Sequence, residues 1–250
     1  MNTLPAEGPP NFEVRVLADA DAAARAAALE IFHAAGDAIS NRGIFRIALP
    51  GGTTPVRLFR ILAEPPFRPE LSRTQFFFVD ERCVPPDHER SNYRLAKEHL
   101  FDALGVSEDR VFRMHGEDDP VTAARAYEET LATEFGGGSP VPQLDFALLG
   151  VGTDGHTASL FPGTRSIEER KRTVVANWVP QLNEWRLTLT LPLLNASRRV
   201  VFLVTGAEKS SVVASAVERK VGSRELPASL VRPRAGSLIW ILDQAAAAEL

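Results

Sequence analysis

Two hydrophobic periods take turns along this chain, short strand-like runs and longer helix-like ones. Residues 12–17 alternate apolar and polar positions and predict a first strand at a sheet edge. Residues 18–40 are alanine-rich, with Asp19 or Asp21 as cap and Leu29, Ile31, Phe32 and Ile39 as the apolar set, which predicts a long helix. A short strand at 45–49 runs into Pro50-Gly51-Gly52-Thr53-Thr54-Pro55, and a helix follows over 56–62. A strand at 75–79 ends in Asp80-Glu81-Arg82, and a polar loop covers 83–90. Ser91 caps a helix to residue 100, residues 109–114 predict a short strand, and Asp118 or Asp119 with Pro120 opens a helix to residue 135. After the glycine run 136–138 comes an apolar strand at 144–149, which breaks into Gly150-Val151-Gly152-Thr153-Asp154-Gly155-His156. Residues 173–178 read as a strand. Residues 185–191 place Trp185, Leu187, Leu189 and Leu191 on one face and Arg186, Thr188 and Thr190 on the other. An apolar strand at 200–204, a helix at 206–219 with Lys209 in its first turn, and a strand at 238–242 complete the pattern.

Strands alternate with helices, and several strands are apolar throughout. That combination predicts an α/β fold: an open, mostly parallel, Rossmann-like sheet with helices on both faces. The 173–191 stretch is expected to add an antiparallel hairpin at an edge. Residues 12–242 read as one domain, without an internal repeat, behind a loose polar tail at 1–11 that lacks the pattern of a signal peptide. The net charge of −4 over 250 residues implies no broad basic face, so nucleic acid is not an expected partner. No run approaches the ~20 apolar residues of a membrane span, so no membrane association is expected. The single cysteine, Cys83, precludes an internal disulfide framework and suits a cytoplasmic setting. The sequence says nothing of oligomeric state.

In a parallel sheet, ligands collect at the carboxyl ends of the strands. Three such ends carry candidate chemistry. Gly51, Gly52 and Thr53 precede a helix, where free amides and the helix dipole suit an anion; a plain turn with a threonine cap is the alternative. It is not a Walker loop, because the Gly-Lys-Ser/Thr ending is missing. At Asp80-Glu81-Arg82, the arginine fork suits phosphate or carboxylate, against a merely solvated loop start. His156, beside Asp154 in a glycine turn, is placed as a general base. Gly150-x-Gly152-x-x-Gly155 formally fits the dinucleotide fingerprint. Pro162 and Gly163 cut short any following helix, and no ribose-binding acid ends the next strand, so no nicotinamide cofactor is expected. No G-x-S-x-G elbow is present, and Asp87-His88-Glu89 and Cys83 lack metal-ligand spacing, so no metal is expected either. Lys209 opposes a helix dipole, which makes sense with an anion between them; an exposed lysine is the alternative.

Taken together, Leu49-Pro50-Gly51-Gly52-Thr53-Thr54-Pro55, Phe78-Val79-Asp80-Glu81-Arg82-Cys83-Val84-Pro85 with Ser91-Asn92-Tyr93, the run from Leu149 through Asp154-Gly155-His156-Thr157-Ala158-Ser159-Leu160-Phe161-Pro162-Gly163, and Arg186-Leu187-Thr188-Leu189-Thr190 resemble the 6-phosphogluconolactonase family. The resemblance extends over about residues 12–242. It implies hydrolysis of a sugar-phosphate lactone without metal or organic cofactor. His156 would act as base, Asp154 would orient it, and Gly51, Gly52, Thr53, Arg82 and Lys209 would hold phosphate. Asp80 would bind sugar hydroxyls and Arg186 would line the pocket. The related glucosamine-6-phosphate deaminases typically carry Asp-Glu-Tyr and Ala-Phe-Asn-Glu-Pro where this chain has Asp80-Glu81-Arg82 and Ala158-Ser159-Leu160-Phe161-Pro162. A deaminase–isomerase activity and a non-catalytic sugar-phosphate sensor remain the alternatives.

Overall fold

A computed structural model of the chain describes residues 11–138, 141–218 and 226–250. The strands are β1 (Asn11–Leu17), β2 (Phe45–Leu49), β3 (Thr74–Phe78), β4 (Asp80–Arg82), β5 (Phe146–Leu149), β6 (Val174–Val179), β7 (Glu184–Leu189), β8 (Arg199–Val204) and β9 (Ser237–Asp243). The helices that matter here are α1 (Ala20–Arg42), α2 (Thr54–Leu62), α3 (Asn92–Ala96), α4 (Pro120–Glu134) and α5 (Ser210–Glu218). Six strands form one sheet in the order β1-β9-β8-β5-β2-β3. Every neighbouring pair in it is parallel. The tail predicted over 1–11 falls outside the described residues except Asn11, which already belongs to β1.

The sheet is covered on both faces. Ile47, Phe78, Phe146, Leu148 and Val201 pack under α1, α2 and α3. Ala48, Phe77, Ala147, Phe202 and Trp240 pack under α4 and α5. Strands enclosed in this way need apolar residues at successive positions, as β5 (Phe-Ala-Leu-Leu) has. Just before β5, the buried carboxylate of Asp145 accepts from the Arg46 amide at 2.9 Å and pairs with Arg42 at 2.8 Å, tying β5 to β2.

Several expectations need correction. Only half of the apolar set predicted for α1 faces the core: Ile31 is buried and Ile39 packs against it, while Leu29 and Phe32 are 44% and 45% exposed. The helix instead buries Ala23, Ala24, Ala27, Ala28, Ala34, Ala35 and Ala38 with Ile31. Small side chains let its backbone lie close on the sheet, and alanine has the highest helix propensity. Asp19 is its cap, accepting from the Ala22 amide at 2.8 Å.

The predicted hairpin does not extend the main sheet. β6 and β7 pair antiparallel and join β4 in a separate three-stranded sheet. Val79 is the crossing point, because its amide bonds Leu49 of the main sheet and its carbonyl accepts from Leu189 of the small one. Asp80–Arg82 is therefore a strand of its own. The alternation of β7 does not separate core from solvent either. Trp185 is half-exposed, while Arg186 and Thr188 on the polar face are buried.

The strand predicted at 109–114 is reduced to one bridge between Val111 and Phe76, after a 3₁₀ turn at Glu108–Arg110. The chain then peels away so that Gly116 can lie against the Arg82 and Val84 carbonyls, where a Cβ would sit 2.2 and 2.9 Å from those oxygens. Lys209 closes a single 3₁₀ turn, Ala207–Lys209, ahead of α5 rather than sitting inside it; residue 219, placed in that helix from the sequence, lies outside the described residues.

The alanine face of α1 sets the fold's first testable consequence. Ala27→Leu is expected to lower stability by about 1–3 kcal/mol through overpacking. Leu29→Ala is expected to stay within about 0.5 kcal/mol, as at an exposed site. Urea unfolding measures both, and equal losses would contradict the packing described.

Candidate active site

Because β2, β5 and β8 run parallel, the segments that leave their carboxyl ends emerge at the same edge of the sheet. A cleft of about 310 Å³ opens there. Gly51, Gly52 and Thr53 line it from the end of β2, Asp80 and Arg82 from β4, His156 from the loop after β5, and Lys209 from the turn after β8. Seven of the nine residues singled out from sequence thus share one cavity. Asp154 stands behind His156 rather than in the lining. Arg186, expected to line the pocket, does not: its guanidinium is buried and bonded to Glu184, at a β7 position opposite Arg82. A larger groove of about 1090 Å³ lies at the opposite end of β1, β9 and α1. Its most enclosed acid, Glu30, is already paired with Arg15 and Arg199, and none of the nine residues reaches it.

The loop after β5 is shaped around the imidazole. Gly152 N–H donates to the His156 carbonyl at 2.9 Å, and Gly155 N–H to the Gly152 carbonyl at 2.9 Å, closing a tight turn. Gly155 has φ +83°, open to glycine at little cost. At Gly152, a Cβ would lie 2.1 Å from His156 Nδ1 and 2.2 Å from Cε1, so only glycine leaves room for the ring. His156 Nδ1 lies 2.6 Å from Asp154 Oδ1, which also accepts the His156 amide at 3.1 Å. Burial acts to raise the Asp154 carboxyl, but the His156 hydrogen bond and charge outweigh it and hold the group below its ordinary range. An ionised carboxylate only accepts, so Nδ1 is the donor in this contact, and Nε2 is the nitrogen that can exchange a proton with a ligand. No helix follows Gly155, and the chain turns through Gly163 instead.

In the same cleft, Thr53 occupies the cap position of α2, yet no side chain caps that helix. Uncapped amides at a helix start attract anions. Lys209 and Arg82 bring positive charge to the same cavity. Arg82 is steadied by a 2.5 Å bond from Nη1 to the Arg90 carbonyl. The Lys209 turn is steadied by Asp243, which accepts the Gly206 amide at 3.1 Å.

The floor is a buried polar network. Asp80 accepts from Asn92 Nδ2 at 3.1 Å and from Ser159 Oγ at 2.7 Å. Asn92 Nδ2 also donates to the Asp80 carbonyl at 2.9 Å, so its amide oxygen points the other way, against Gly51. A Cβ on Gly51 would sit 1.7 Å from that oxygen, which has no hydrogen-bond partner. Glu81, buried one residue on, accepts from the amides of Asn92, Tyr93 and Arg82 at 2.7, 2.9 and 2.8 Å and from Ser91 Oγ at 3.1 Å. Among the described residues, no group of three or more His, Cys, Asp or Glu side chains is placed to hold a metal ion.

The sequence profile of the family described as "Glucosamine-6-phosphate isomerases/6-phosphogluconolactonase" matches residues 18–240. The chain belongs to this family. Among its curated members, the 6-phosphogluconolactonase of Homo sapiens is 41% identical over 210 residues, covering 82% of this chain and 81% of that one. The 6-phosphogluconolactonase of the cyanobacterium Synechocystis is 39% identical over 215 residues, covering 85% and 88%. A solved 6-phosphogluconolactonase from Trypanosoma brucei superposes with a TM-score of 0.84 at 28% identity, covering 96% of this chain and 99% of that one.

Within this glucosamine-6-phosphate isomerase/6-phosphogluconolactonase fold, the sequence reading passed over two side chains. Asn92 and Ser159 appear in it only within matching blocks, though both bond Asp80. The available signal was Asn92 placed directly after the Ser91 helix cap, about ten residues beyond the charged run Asp80-Glu81-Arg82. Glu81 gives a pH test. Burial dominates and pushes its carboxyl above the ordinary value of 4.5, although the amides of Asn92, Tyr93 and Arg82 pull the other way. A raised folded pKa means that the group's contribution is complete below the unfolded pKa and is lost as pH rises through the folded value. The stability of the unsubstituted protein relative to Glu81→Gln is therefore expected to fall as pH rises from about 4 upward. Urea unfolding across that window measures it, and a flat or rising difference would contradict the burial argument.

Proposed function

We propose that this chain hydrolyses 6-phospho-D-glucono-1,5-lactone to 6-phosphogluconate, the lactone-opening step of the oxidative pentose phosphate pathway. One juxtaposition carries the reading: a histidine with its Nδ1 engaged by a carboxylate shares a cleft with an uncapped helix start, an arginine and a lysine. The pairing supplies a base and an anion site within one cavity.

In the proposed reaction, the ester's phosphate rests on the Gly51, Gly52 and Thr53 amides, with Arg82 and Lys209 as counter-charges. Binding energy from this remote group positions the carbonyl. His156 Nε2 takes a proton from water as the oxygen bonds to the lactone carbonyl carbon, forming a tetrahedral oxyanion. Asp154 holds the ring and stabilises the imidazolium. The bond from that carbon to the ring oxygen then breaks, and the imidazolium returns its proton to the departing oxygen. The products are the open acid and a regenerated neutral imidazole. Asp80 lines the same cleft, and its oxygens keep lone pairs for sugar hydroxyls beyond the bonds from Asn92 and Ser159. Arg186 has no part in this scheme, because it does not line the cleft and its Nη1 is bonded to Glu184. The scheme uses no metal or organic cofactor. Its setting is the cytoplasm, where the lone thiol of Cys83 stays reduced.

His156→Ala, assayed with the spontaneous opening subtracted, is expected to lose roughly 10²–10⁴-fold in kcat. Arg82→Ala is expected to weaken turnover of the phosphorylated lactone far more than that of the unphosphorylated one. Near-normal hydrolysis by His156→Ala, or equal losses by Arg82→Ala on both lactones, would overturn the corresponding assignment.

A further inference from the structure

We propose that Phe161 is a positioning residue which, with Gly152, holds the His156 imidazole in a slot so that its basic nitrogen meets the bound ester. The inference rests on the reading of His156 as the base and adds what orients it. The ring is constrained on three sides. Its Nδ1 edge is held by Asp154 at 2.6 Å. The Gly152 Cα lies so near the Nδ1 and Cε1 atoms that a Cβ there would come 2.1 and 2.2 Å from them. Phe161 stacks on the imidazole with ring centroids 4.2 Å apart and planes inclined by 22°. The nitrogen left over, Nε2, is the one the reaction needs.

Phe161 is itself fixed. It is buried, and its carbonyl accepts from the Thr164 amide at 3.1 Å and from Thr164 Oγ1 at 2.8 Å. Thr164 Oγ1 in turn accepts from Asn177 Nδ2 at 3.1 Å, which anchors the phenyl wall to β6. A hydrogen bond to Asp154 alone leaves the imidazole free to tilt about the Nδ1···Oδ1 axis. A phenyl face removes that freedom, and its π-cloud also favours the positive charge the ring gains during water attack. A leucine fills comparable space but offers neither a flat wall nor a quadrupole.

The test begins with the unsubstituted protein. In ¹H–¹³C NMR, the His156 ring signals, assigned by their loss in His156→Ala, are expected upfield of the other histidines through the Phe161 ring current. They are expected to return to ordinary positions in Phe161→Leu. Kinetically, Phe161→Leu is expected to lower kcat about 10–100-fold, the scale of a catalytic group displaced by about 1 Å, with KM changed less than about twofold. Phe161→Tyr, which keeps the ring face, is expected to stay within about threefold of the unsubstituted kcat. Phe161→Met replaces Phe161→Leu if the latter does not fold. The proposal is overturned if the His156 signals show no upfield displacement, if Phe161→Leu or Phe161→Met keeps full kcat, or if Phe161→Tyr loses as much as either. The underlying reading fails separately, by activity remaining in His156→Ala.

Discussion

The site depends on a directional constraint: β2, β5 and β8 are parallel and hydrogen-bonded side by side with β5 between the other two. Parallel pairing puts three carboxyl ends at one edge, and each end is followed by a segment with different chemistry. An antiparallel β5 would send the His156 loop to the opposite end, some four residues or ~13 Å away. The apolar strands need burial on both faces, and α1 to α5 provide it. The same burial that stabilises the sheet therefore decides where chemistry can occur.

Carboxylates do much of the local fixing, and each does it by accepting backbone amides. Glu81 takes three amides and ties β4 to the start of α3. Asp243 takes the amides of Gly206 and Ala246, joining the Lys209 turn to the end of β9. Asp154 takes the His156 amide as well as its ring nitrogen. Loops built in this way become rigid without a large apolar core of their own, which suits a cleft that must stay polar. Such buried acceptors are satisfied in nearly every case. The orphaned oxygen of Asn92 against Gly51 stands out for that reason.

The parts of this arrangement that were legible from sequence are those set by local pattern. The continuous apolar runs of β5 and of residues 200–204 in β8, with the glycine turns after β2 and β5, identify a parallel sheet with ligand loops. His156 beside Asp154 identifies the candidate base. What sequence alone misplaced depends on long-range packing. Leu29 and Phe32 look like a helix core until the alanine face of α1 is seen against the sheet. Asp80-Glu81-Arg82 looks like a loop start until β7 pairs with it. Arg186 looks like a pocket cation until Glu184, two residues away on its own strand, proves to be its partner. Asn92 shows nothing unusual until its two neighbours, Asp80 and Gly51, come together from distant segments.

The claim underlying all of this is that base and anion site belong to a single binding cleft. A ¹⁵N-labelled sample titrated with 6-phosphogluconate, the reaction's product, tests it most directly. The account predicts that the backbone amides of Gly51, Gly52 and Thr53 and the ring nitrogens of His156 shift together, along one saturation curve. Shifts confined to the groove around Arg15 and Glu30, or separate curves for the glycine amides and the imidazole, would contradict it.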